Sequence, residues 1–96
     1  MKYVSLLLIE SLLEGCKVKD LDGAFLILIP QDKIKACDVS SADVQILLDN
    51  NTLIGINTLK QFYVKVNDEM YVYHKKLVDY HLSLLKHTIG FTCYTV

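Results

Sequence analysis

The sequence predicts a single α+β domain with an N-terminal helix, a central β-hairpin, an amphipathic helix near the C-terminus and a final strand. Two patterns support this fold class: apolar residues recur at helical spacing near both ends, and they alternate in the middle. The chain has 96 residues, 52% of them hydrophobic, which suits one domain over residues 1–96. No apolar run reaches the roughly 18 residues of a membrane span, so we expect no membrane segment.

The first sixteen residues, MKYVSLLLIESLLEGC, have two interpretations. A basic start, an apolar run and a closing cysteine are typical of a lipoprotein export signal. However, Glu10 interrupts the apolar run, and Glu14 occupies the cleavage region, where small uncharged residues are required. We therefore predict a core helix over residues 3–14 that ends at Gly15. Its apolar stripe is predicted to consist of Val4, Leu7, Leu8 and Leu12.

Residues 42–56 are consistent with either a helix or a hairpin. Ser40 followed by Asp43 resembles a capped helix start, and the apolar positions 44, 47 and 48 have helical spacing. The alternative is a hairpin in which VQILLD pairs with TLIGI across Asn50 and Asn51. We favour the helix because the capping residue and the spacing agree.

Two strand patterns flank this segment. AFLILIP is a short continuous apolar run ended by Pro30, which predicts a buried strand. QFYVKVNDEMYVYHK contains two alternating runs, which predict a hairpin joined by Asn67, Asp68 and Glu69. One face of the hairpin is predicted to carry Phe62, Val64, Val66, Met70 and Val72.

The C-terminal third predicts a helix and then a strand. KLVDYHLSLLKHTIG places four apolar residues at helical spacing before Gly90, which indicates an amphipathic helix. The tail FTCYTV alternates and is rich in strand formers, so we expect it to join a sheet edge, either of this chain or of a partner.

Tyrosines on the hairpin indicate a protein interface, because tyrosine buries a large area at low entropic cost. Their simpler interpretation is cross-strand pairing that stabilises the hairpin. A homodimer would use both the tyrosine face and the tail strand. The predicted interface residues are Tyr63, Tyr71, Tyr73, Lys65, Lys75, Tyr94 and Val96.

A second function follows from a resemblance to a known family. ACDVSSADVQILL is similar to a turn and second helix, DNNTLIG to a corner, QFYVKVNDEMYVY to an enlarged wing and KKLVDYHLSLL to a closing helix. On these motifs, residues 31–85 resemble the excisionase-type winged-helix proteins. The resemblance implies a DNA-binding transcriptional or recombination regulator. Its DNA-contacting residues would be Ser40, Ser41, Gln45, Lys60 and Lys76.

Composition argues against nucleic acid as the main partner. The chain has no arginine, the residue best suited to bidentate recognition of phosphate and guanine. The charged residues of the second helix that the resemblance implies are only the acids Asp43 and Asp49. The absence of arginine, with abundant lysine, asparagine and isoleucine, is typical of AT-rich genomes such as those of phages and other mobile elements.

No spacing of histidines, cysteines or carboxylates matches a catalytic, metal or cofactor site, so we expect no enzyme activity, metal or cofactor. Three widely spaced cysteines indicate reduced, mostly buried thiols in a cytoplasmic protein, within the host cell if the protein is viral. The sequence therefore predicts a small protein-interaction module, a regulator or inhibitor that acts as a homodimer.

Overall fold

The computed structural model describes residues 2–21, 25–39, 44–77 and 80–84, and this part of the chain is mostly β. The predicted α+β arrangement is therefore wrong. The elements in chain order are β1 Lys2–Val4, α1 Leu6–Leu12, β2 Lys17–Asp20, β3 Phe25–Ile29, a 3-10 turn Gln31–Lys33, β4 Ile34–Val39, β5 Val44–Leu48, β6 Leu53–Ile56, β7 Phe62–Val66, β8 Glu69–Tyr73 and β9 Tyr80–Leu84.

The strands form two sheets. The large sheet has the order β1-β8-β7-β6-β5-β4; consecutive strands from β4 to β8 pair antiparallel, and β1 pairs parallel with β8. The small sheet has the order β2-β3-β9, in which β2 is antiparallel and β9 parallel to β3. Each sheet turns one face towards a shared core.

The core lies between the two sheets and is closed by α1. Phe25 of the small sheet packs against Phe62 and Tyr73 of the large sheet, with ring centroids 5.1 and 5.4 Å apart. Ile9 and Leu13 are buried in the same cluster. The cluster also contains Cys16, Val18, Ile27, Ile29, Val44, Ile46, Leu48, Ile54, Ile56, Val64 and Leu77.

The N-terminal helix is shorter than predicted, and it buries a different side. Its seven residues follow a β-strand, and its buried positions are Ile9 and, just beyond its end, Leu13. Leu7, which we predicted to lie on the apolar stripe, is 78% exposed. The run is apolar nearly all round, so spacing alone did not define the buried side. Gly15 has φ +83° and reverses the chain towards β2.

Residues 44–56 form the hairpin that we had considered as the alternative, and the favoured helix is wrong. β5 and β6 pair antiparallel, and Val44, Ile46 and Leu48 point into the core with the period of a strand. The backbone N–H of Leu48 donates to the carbonyl oxygen of Thr52 at 2.9 Å, and Asn51 adopts a left-handed conformation with φ 68°. Pairing with β6 on one side and β4 on the other satisfies the strand backbone, which outweighs a weak helical pattern.

Two other sequence predictions have different outcomes. The buried strand in AFLILIP is confirmed as β3, with Phe25, Ile27 and Ile29 buried. The amphipathic helix is wrong over residues 80–84, which form β9 alongside β3 in the register Phe25 to Tyr80. The predicted tail strand in residues 91–96 lies outside the described residues.

The hairpin of β7 and β8 is confirmed, but its predicted faces are wrong. Val66 pairs directly with Glu69, so the turn contains only Asn67 and Asp68, whose φ angles are 49° and 67°. These angles suit a two-residue type I′ turn. We had treated Glu69 as part of the connection, and a shift of one residue moves every side chain to the other face. Met70 and Val72 therefore pair with Lys65 and Tyr63.

The turn gives a direct test of this register. We expect Asp68→Gly to raise the free energy of unfolding by about 0.5 kcal/mol, because glycine adopts positive φ without the Cβ penalty. Asp68→Ala should lower it by about 0.5–1 kcal/mol, because alanine tolerates this conformation less well than aspartate. Urea denaturation followed by circular dichroism measures both. An alanine variant as stable as the glycine variant would contradict the turn assignment.

Candidate functional site

The three hairpin tyrosines do not form one stripe. Tyr71 pairs with Val64, and Tyr63 pairs with Val72, so Tyr63 lies on the outer face while Tyr71 and Tyr73 lie on the core side. Tyr63 and Tyr73 are only 6% and 5% exposed. The half-buried Tyr71 donates its hydroxyl to Glu69 Oε2 at 2.6 Å. The structure therefore separates the predicted aromatic surface into two places.

Tyr63 is held flat across the outer face of the large sheet. A Cβ atom at Gly55, its cross-strand partner, would overlap the Tyr63 ring. Beyond Gly55, the Gln45 side-chain amide donates to the Tyr63 hydroxyl at 2.9 Å. Because glycine has no Cβ, the aromatic ring of Tyr63 can lie directly on the β6 backbone at Gly55. Tyr63 thus links three strands of its own sheet.

Tyr73 connects the two sheets through a polar contact. Its hydroxyl donates to Asp20 Oδ2 at 2.7 Å, and Lys75 Nζ lies 3.0 Å from the same oxygen. Burial, followed by the hydrogen bond to Asp20, raises the pKa of Tyr73 to about 12. The hydrogen bond from Tyr73, followed by that from Lys75, lowers the pKa of Asp20. Tyr73 and Lys75, both predicted to face a partner, are engaged within the chain.

Alkaline pH should weaken this contact. The pKa of Tyr73 in the folded protein, about 12, lies above the ordinary tyrosine value of about 10. The stabilisation that the Tyr73 hydroxyl gives the folded protein is therefore complete below pH 10 and is lost as the pH rises towards 12. Tyr73→Phe should cost about 1–2 kcal/mol at neutral pH through the lost hydrogen bond. The difference from wild type should shrink in the alkaline range.

Urea titrations at neutral pH and across the alkaline range measure this difference. Tyr3→Phe, which removes the hydroxyl of an exposed tyrosine, is the matched control. A stability difference between wild type and Tyr73→Phe that stays constant up to pH 12 would contradict the Tyr73 assignment.

The residues predicted to contact DNA are not on a recognition helix. Gln45 lies in β5 and is bound to Tyr63, while Lys60 and Lys76 are exposed on connecting segments. Ser40 and Ser41 lie outside the described residues. The winged-helix arrangement is therefore wrong, because two of its expected helical segments contain β-strands.

Lys65 is exposed on β7 and lines a shallow depression with Asn51, Leu53, Asn67 and Asp68. The remaining two predicted interface residues, Tyr94 and Val96, lie outside the described residues.

A surface that the sequence analysis missed lies on α1. We define the α1 surface as Leu7, Leu8, Glu10 and Ser11 of α1 together with Glu14 just after the helix, all of which are exposed. Leu7 is the most exposed of the large apolar side chains that the structure describes, and Leu8 is 41% exposed. Because the opposite side of α1 carries Ile9 and Leu13 into the core, the α1 surface faces away from it.

A second surface is the outer face of β2 and β3. We define the small-sheet surface as Lys17, Lys19, Leu26 and Leu28. Val18 and Ile27 point into the core, so these four side chains point away from it. Lys17 pairs with Leu28 and Lys19 with Leu26, and the leucines remain half-buried. The alternation in KVKD was the sequence signal for this face.

We also considered metal ligands, cysteine thiols and membrane-spanning helices among the described residues. Within them, no three histidine, cysteine or carboxylate side chains are placed to hold a metal ion. Burial raises the pKa of the Cys16 thiol. We predicted mostly buried cysteines, and Cys37 on β4 is exposed. No described helix has the length and apolarity needed to cross a membrane.

Comparison with known proteins adds no relative: no family model, curated protein or solved structure matches this chain.

Proposed function

We propose that this chain is a small non-enzymatic protein-interaction module that acts as a homodimer and presents its α1 surface to a partner. The proposal includes its role as a regulator or inhibitor from a phage or other mobile element, working in the cytoplasm. The composition without arginine supports the mobile-element origin.

The observation that carries the proposal is the exposure of Leu7 on a helix whose other side is anchored in the core. Full burial of a leucine side chain contributes about 1.5–3 kcal/mol, so a partner that covers Leu7 and Leu8 gains substantial binding free energy. Apolar side chains that cluster on a surface are typical of interaction sites. The buried Ile9 and Leu13 fix the position of this helix, which lowers the entropic cost of docking.

Leu7→Ser tests this function. We expect wild-type protein to show about twice the chain mass by light scattering at micromolar concentration, and Leu7→Ser to weaken the dimer by about tenfold or more, because the apolar contact is lost. Leu59→Ser is the control, since Leu59 is also largely exposed but lies on the turn between β6 and β7. A monomeric wild-type protein, or a dimer that Leu7→Ser leaves unchanged, would contradict the proposal.

A further inference from the structure

We infer that the occupant of the α1 surface is the small-sheet surface of a second copy of this chain. The inference rests on the proposed function, because it names the partner of Leu7 and Leu8. In a two-fold dimer, the same contact forms twice, with each copy contributing its helix and its sheet.

The α1 surface combines apolar side chains with negative charge. Glu10 lies one helical turn from Leu7 on α1, and the exposed Glu14 follows directly after the end of the helix. This surface contains no lysine. A partner for it must therefore offer apolar side chains flanked by positive charge.

The small-sheet surface has this complementary composition. Leu26 and Leu28 form its apolar centre, and Lys19 and Lys17 stand directly opposite them on the neighbouring strand. Two glutamates on one surface thus face two lysines on the other. Within the part of the chain that the structure describes, none of these four charges belongs to an ion pair.

The secondary structure of the two surfaces also suits this contact. A helix that packs its apolar side on a sheet face is one of the basic layer arrangements of proteins. In the dimer, the exposed Leu7 and Leu8 of each copy would cover the half-buried Leu26 and Leu28 of the second copy. The charges at the rim would fix the orientation and make the association sensitive to salt.

Charge exchange tests this contact. The variants E10K/E14K and K17E/K19E should each dimerise roughly tenfold or more weakly than wild type, because like charges then face each other. A mixture of the two variants should form the heterodimer, since both of its contacts again join opposite charges. The four-fold variant E10K/E14K/K17E/K19E should also self-associate. Sedimentation velocity gives the affinities, and native mass spectrometry with one variant ¹⁵N-labelled identifies the heterodimer.

The variant K60E/K65E is the matched control, because both lysines are exposed and lie outside the two surfaces. The six altered positions of these variants, Glu10, Glu14, Lys17, Lys19, Lys60 and Lys65, all carry exposed side chains, and circular dichroism confirms that each variant is folded. A dimer that Leu7→Ser weakens but neither double charge variant weakens would overturn this inference and leave the proposed function standing. Loss of dimerisation without recovery in the mixture would also overturn it. A dimer insensitive to both Leu7→Ser and the charge variants would overturn both proposals.

Discussion

Phe25 of β3 packs against Phe62 and Tyr73 of the large sheet, and this aromatic contact joins the two layers of the protein. The small sheet has three strands of four or five residues, and a sheet of this size needs an apolar face that is covered. The small sheet therefore depends on covering the inner face of the large one. Phe25 is 1% exposed and Phe62 is fully buried, so the contact lies at the centre of the core.

Other features follow from this contact. The register of β2 and β3 that turns Phe25 inward also turns Asp20 inward, where it meets Tyr73 and Lys75. The same register turns Lys17 and Lys19 outward. The charged outer surface that we propose as a docking site is thus a consequence of how the core is packed. α1 is fixed in a similar way, because burial of Ile9 and Leu13 leaves Leu7 exposed.

Sequence patterns predicted the strands that are strongly alternating or continuously apolar, namely β3 and the hairpin of β7 and β8. They failed where an apolar run is short and fits two periods. VQILL fits the period of both a helix and a strand. The outcome depends on backbone pairing with the neighbouring strands β4 and β6, which the pattern of VQILL does not contain. The segment containing β9 depends in the same way on pairing with β3, more than fifty residues earlier.

The candidate site was harder to predict than the fold. The tyrosine surface required the correct turn length, and treating Glu69 as a turn residue reversed the face of every residue in β8. The exposed leucines of α1 were missed because a helix that is apolar on most sides does not reveal which side is buried. In both cases the residues were visible in the sequence. Their direction was decided by the two-residue turn for the tyrosines and by the burial of Ile9 and Leu13 for the leucines.

Native-state hydrogen exchange tests most directly whether the two sheets share one core. We predict that the central strands β3 and β7 exchange their slowest backbone amides with the same free energy, and that Phe25→Ala lowers both by an equal amount of about 3–5 kcal/mol. Amides of β3 that exchange at a clearly lower free energy than those of β7, with Phe25→Ala affecting β3 alone, would show that the small sheet opens independently and would contradict the account.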